Sequence, residues 1–198
     1  MAWKGRKGIR IYKPAKHPFY MIAIDPGLRH PGFAVLHVFP NARKIGLIET
    51  HTLNNEKLEY PEALMRTYDL LDELIEKYHP KDICSERMFS VRHLETQQLF
   101  RTVGCLELCA WRRRKRIEVL PPKTVKKLIT NDGSATKEKV RQSIAERYPN
   151  KKFGTSDESD AVAVGISWLI FHHYLDPFFE PEPVKPKVRK TKGQERAL

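Results

Sequence analysis

At 198 residues, 40% of them hydrophobic, the chain is long enough for one α/β domain with a sizeable core plus tails. Its formal net charge of +12 is concentrated at the ends: residues 1–24 carry six bases and no acid, residues 185–198 six bases and one acid, and the span between them 24 bases against 23 acids. Three cysteines are too few for a disulfide framework and lack the Cys–His spacing of a zinc site, and no stretch approaches the roughly 18 apolar residues of a membrane span.

Residues 1–19 read as an extended basic arm closed by Pro14 and Pro18. The apolar run Tyr20–Asp25 predicts a buried strand. Pro26-Gly27 and Pro31-Gly32 bracket a tight turn, with Gly32–Phe39 as the hairpin partner and Lys44–Leu53 as a third strand. Between Leu58 and Tyr78, apolar residues at 64, 68, 71, 75 and 78 have helical spacing, and His79-Pro80 stops the helix. Asp82–Glu86 reads as a fourth strand. A second helix follows over His93–Arg114, with Leu99, Val103, Leu106 and Ala110 on one face. Ile117–Leu120 is a fifth strand, and Pro121-Pro122 starts a short helix through Ile129. Gly133 precedes a helix over Lys137–Tyr148. The last helix begins near Thr155 or Ser156, where Thr155 and Glu158 have the spacing of a capping box, and runs to Tyr174. Beyond Asp176-Pro177 the chain is rich in Pro, Lys and Glu, a composition that predicts disorder from about Glu180.

Three leading strands followed by alternating helices and strands predict a three-layer α/β domain over residues 20–176. Its mixed five-stranded sheet is flanked by helices, with a basic arm at 1–19 and a tail at 177–198. Basic arms on a neutral body suit a polyanion, through counterion release, although solubilising tails account for the composition equally well. The cysteine usage predicts a reduced, cytoplasmic protein. The acid-free N-terminus resembles an organellar transit peptide, but it has no serine and contains two prolines.

Four carboxylates stand at the ends of the apolar elements: Asp25, Glu86, Asp157 and Asp160. Acids there are costly unless paired, protonated or bound to a cation. Each has an ordinary explanation alone. Asp before Pro-Gly forms turns, and acids in a helix's first turn complement its dipole. Glu86 is harder to dismiss, because Glu is depleted in strands. Converging on one pocket, the four suit Mg²⁺ and phosphoryl-transfer chemistry on a nucleic acid.

These residues carry a family resemblance. Ile22-Ala23-Ile24-Asp25-Pro26-Gly27, followed by Pro31-Gly32-Phe33-Ala34-Val35, resembles the opening motif of the RuvC Holliday-junction resolvases. Glu86-Arg87-Met88-Phe89 resembles their second motif. Val125-Lys126, with Gly133-Ser134-Ala135-Thr136-Lys137 and Val140, resembles the third, and Asp157-Glu158-Ser159-Asp160-Ala161 the closing Asp-x-x-Asp-Ala helix.

The resemblance implies a ribonuclease H-like fold and a homodimer that resolves four-way (Holliday) DNA junctions by paired nicks. It also implies two Mg²⁺ ions per site, with Mn²⁺ as a candidate substitute. Asp25, Glu86, Asp157 and Asp160 would be the ligands, Lys126 and Lys137 would contact the scissile region, and Lys137 would offset developing charge. Phe89 matches the family's aromatic that wedges against unstacked bases. The departures are the long N-terminal arm, His93 in place of the usual Asn seven residues after the Glu, and the additional acid Glu158; they suggest a phage-encoded or divergent member. The alternatives are another ribonuclease H-like nuclease, acting on other branched DNA or on RNA–DNA hybrid, and a catalytically silent DNA-binding module.

Three further features call for roles. The basic run Arg112-Arg113-Arg114-Lys115-Arg116 either complements a helix end or grips a DNA arm. Gly104 inside a helix costs about 1 kcal/mol against Ala, which predicts a close packing contact. His172-His173 is expected to end the last helix without metal duty.

Overall fold

Strand alternation sorts the core into two halves. The computed structural model describes residues 15–88, 93–177 and 179, with no side-chain account of 93–96. The first strand, β1 (Phe19–Asp25), sends Met21 and Ala23 to one face and Ile22 and Ile24 to the other. Both faces are covered, so β1 reads as a continuous apolar run rather than an alternating one. The remaining elements are β2 (Gly32–Phe39), β3 (Lys44–Thr52), α1 (Tyr60–Tyr78), β4 (Asp82–Glu86), α2 (His93–Arg112), β5 (Ile117–Leu120), α3 (Pro122–Thr130), α4 (Lys137–Arg147) and α5 (Ser156–Phe171). A 3₁₀ turn at Pro40–Ala42, absent from the sequence reading, joins β2 to β3.

The sheet order is β3-β2-β1-β4-β5, with β1, β2 and β3 antiparallel and β1, β4 and β5 parallel. This is the mixed five-stranded sheet predicted from the element order. Met21, Ala23, Ala34 and Leu36 face α3, α4 and α5, while Ile22, Ile24, Phe33 and Val35 face α1 and α2. Three layers result.

Element ends shift slightly from their predicted positions, for local reasons. Pro61 in the first turn starts α1 at Tyr60, two residues later than its apolar spacing suggests, and His79 ends it in the left-handed conformation (φ 46°). The last helix stops at Phe171 rather than Tyr174, with His172 as its cap and His173 left-handed (φ 60°). His172 Nε2 lies 3.1 Å from Glu118 Oε1, a structural contact.

The capping box at α5 is formed only by half. Thr155 Oγ1 accepts from the Glu158 N–H at 3.4 Å. The Glu158 carboxylate instead accepts from Gly154 N–H at 3.1 Å and from the Thr50 hydroxyl at 2.8 Å. Glu158 therefore ties α5 to β3.

The helix α5 lies unusually close to the sheet. A Cβ at Gly165 would come within 2.6 Å of Leu36 Cδ1 and 2.9 Å of Ala23 Cβ, and a methyl at Gly32 would overlap the carbonyl of Asp157. Only glycine allows the first turn of α5 to rest on β2.

Candidate active site

Register alone brings the first two acids together. Ile24 of β1 pairs with Ser85 of β4 in parallel, so Asp25 and Glu86 follow at the neighbouring carboxyl ends of adjacent central strands. Ligand sites in open α/β sheets gather at such ends. Asp25 also pairs across the hairpin with Gly32, the residue on which the Asp157 backbone rests. Asp157 and Asp160, three apart in α5, reach the same corner.

The electrostatics report one cluster. Burial, together with the charges of Asp160, Glu86 and Asp157, pushes the Asp25 carboxyl up to about 7, against the opposing pull of Lys137. Burial also raises Glu86, with Asp160 acting in the same direction and Lys137 and Lys126 against it. The four predicted acids and both predicted lysines therefore act on one another, although they come from β1, β4, α3, α4 and α5.

Lys137 is the first residue of α4, where a cation opposes the helix dipole at a cost of about 0.3–1 kcal/mol. Its Nζ stands 4.0 Å from Asp160 Oδ2. The acid cluster accounts for a lysine in that unfavourable place.

One participant escaped the sequence reading. Arg141 donates from Nη2 to Asp160 Oδ2 at 3.1 Å and from Nε to Oδ1 at 3.4 Å. A signal existed, since Arg141 is four residues beyond Lys137 and so shares its helix face.

The donor set fits a hard divalent cation: partly buried carboxylates, one of them raised by burial and then by the charges of the others, and no soft ligand among them. Among the described residues no three His, Cys, Asp or Glu side chains already stand close enough to enclose an ion. Mg²⁺ needs no such cage, because it keeps waters and substrate phosphate oxygens alongside one or two carboxylates.

Other predicted residues fall elsewhere. Arg113 is drawn into α1, donating to both oxygens of Asp72 at 2.6 Å and to Glu76 at 2.8 Å, so it serves the α1–α2 contact rather than standing ready for DNA. Arg112 and Arg114 are exposed. Phe89 lies outside the described residues, as do the arm residues 1–14 and nearly all of the tail, and no side chain is described for His93. Gly104 contradicts the expected close packing: a Cβ there meets nothing within 4 Å. Beside Glu86 an apolar recess of about 110 Å³, lined in part by Pro26, Met88, Phe100 and Val119, opens between the sheet and α2.

Comparison with known proteins points to the family whose motifs the sequence resembles. The family model described as crossover junction endodeoxyribonuclease RuvC matches residues 21–168. The protein of that name from Brachyspira hyodysenteriae is 30% identical over 150 residues, covering 74% of this chain and 91% of its own. Its namesake from a Chelativorans species is 29% identical over 159 residues, covering 79% and 91%. The Thermus thermophilus RuvC structure superposes with a TM-score of 0.70 at 21% identity, covering 78% of this chain and 96% of the other.

Proposed function

The chain belongs to the RuvC family of crossover junction endodeoxyribonucleases, and on that footing we propose how its residues divide the work. It is a structure-selective endodeoxyribonuclease that resolves four-way DNA junctions by paired nicks of opposing strands. Asp25, Glu86, Asp157 and Asp160 would hold two Mg²⁺ ions, or Mn²⁺ in their place, and such ions would supply activation of the attacking water and stabilisation of the leaving 3′ oxygen. The observation that carries this assignment is Asp25: an enclosed carboxyl pushed to about 7 chiefly by burial and then by three neighbouring acids calls for cationic charge.

The chain's own side chains do the rest. The Lys137 ammonium, exposed and aimed at the acids, offsets charge that builds on the phosphate during attack. Lys126, whose charge also acts on Glu86, steers the strand. The recess beside Glu86 offers apolar surface to a base rather than to a phosphate, which suits a stacking role for Phe89, the residue after Met88 in sequence. Arg112 and Arg114 meet a DNA arm, and the basic ends of the chain add sequence-independent attraction.

Paired nicks need two sites. Phe100, Gly104, Leu108 and Trp111 form one exposed stripe along α2, with the three large side chains 57–62% exposed. A second copy of the chain covers it, the helices drawn close at Gly104, giving a homodimer. Among the described residues no helix is long and apolar enough to cross a membrane. We place the enzyme in the cytoplasm of a bacterial or phage-infected cell, in keeping with free Cys84, Cys105 and Cys109.

The test is cleavage of a labelled four-way junction, a linear duplex and an RNA–DNA hybrid, with Mg²⁺ and with EDTA. Symmetric Mg²⁺-dependent nicks in the junction alone are expected, and D25N and E86Q should each reduce them by at least about 10³-fold. Cleavage of the hybrid with the junction left intact would overturn the assignment.

A further inference from the structure

Arg141 covers both oxygens of Asp160 with one planar fork, its Nε on Oδ1 at 3.4 Å and its Nη2 on Oδ2 at 3.1 Å. Lys137, at 4.0 Å from Oδ2, stands beyond hydrogen-bond length. Arg141, rather than Lys137, is thus the immediate counter-charge of this carboxylate. The pair is partly shielded, with side-chain exposures of 33% for Arg141 and 16% for Asp160. A guanidinium is charged at every working pH, so it yields its place only by moving. Asp160 is also one of the three acids whose charges, after burial, raise Asp25.

We propose that Arg141 is an internal counter-cation: it occupies Asp160 while no divalent ion is bound and leaves that carboxylate when an ion arrives. This rests on the four acids being cation ligands. The ion and the guanidinium compete for the same oxygen lone pairs, and their like charges repel. Removing Arg141 therefore tightens ion binding while leaving the ion-free cluster less balanced. A guanidinium that merely oriented Asp160 for the ion would have the opposite effect on affinity. Arg141 is a positioning residue in this scheme, since it acts through Asp160.

The experiment uses the full chain as wild type, R141Q and R141K. Mn²⁺ binding is followed by electron paramagnetic resonance and melting by circular dichroism, in EDTA and in saturating Mn²⁺. R141Q should bind Mn²⁺ about fivefold more tightly, the order expected for losing a partly buried bidentate competitor. It should melt below wild type in EDTA, the gap narrowing in Mn²⁺ because tighter binding stabilises it more. R141K keeps the charge without the fork and should fall between the two. In a D160N background, R141Q should leave Mn²⁺ affinity unchanged, which ties the effect to that carboxylate. Equal or weaker Mn²⁺ binding by R141Q would overturn the counter-cation role and leave the ion site standing. A wild-type chain that binds no Mn²⁺ would overturn the site and the role of Arg141 together.

Discussion

Asp25 shows what a single residue contributes and costs. Its carboxyl is raised from the ordinary carboxylate range to about 7, by burial first and then by Asp160, Glu86 and Asp157. The folded ion-free protein therefore keeps a proton that the unfolded chain has already released. Stability from this group is complete below the unfolded value and is lost as pH rises from about 4 through about 7. The expected result in EDTA is that D25N, having no charge to bury, gains on wild type over that window and melts several degrees higher at pH 8. A melting difference independent of pH would show that Asp25 is not perturbed. Saturating Mn²⁺ should reverse the order at pH 8, because the ion stabilises the carboxylate and not the amide. Asp25 and Glu86 were legible in the sequence because each ends an apolar run where an acid is out of place. Arg141 was less so, since an arginine on an amphipathic helix has many ordinary uses, and only its i+4 relation to Lys137 marks it.

At the scale of elements, spacing carried the reading far. Apolar runs, helical spacings in α1 and α2, and the Pro, Gly and capping signals before α3, α4 and α5 placed the five strands and five helices of the described residues, with end shifts traceable to Pro61 in α1 and to the cap at His172. Element faces were harder, because they depend on partners distant in sequence. The diversion of Arg113 required Asp72 and Glu76, which share a face of α1 some forty residues earlier. The exposed stripe on α2 required knowing which of its sides meets α1: Leu106, Cys109 and Ala110 are buried there, leaving Phe100, Leu108 and Trp111 outward. If a second copy covers that stripe, W111E should weaken self-association by about 100-fold, as expected for losing a central aromatic anchor. Sedimentation equilibrium reads this directly, with unchanged far-ultraviolet dichroism showing that the fold survives. A wild-type chain that remains monomeric at tens of micromolar would remove α2 as the interface.

The whole molecule is a nearly neutral body with basic ends, a division visible in the sequence and independent of the fold. Residues 1–19 hold Lys4, Arg6, Lys7, Arg10, Lys13 and Lys16 and no acid. If they meet DNA phosphates, deleting them should make the slope of log affinity against log salt for a four-way junction shallower by about 2 or more. Junction selectivity should persist, since charge of this kind adds affinity without reading shape or sequence. An unchanged slope would mark the arm as a solubilising extension.

Gly32 joins these scales. It is the cross-strand neighbour of Asp25 and the surface on which the Asp157 carbonyl rests, so main chain meets main chain between two acids that are 132 residues apart in sequence. Their separation is thereby calibrated by a hydrogen atom rather than by any side chain. A single added methyl at position 32 would push apart the two main-chain segments that carry these carboxylates, and so detune the pair even in a protein that still folds.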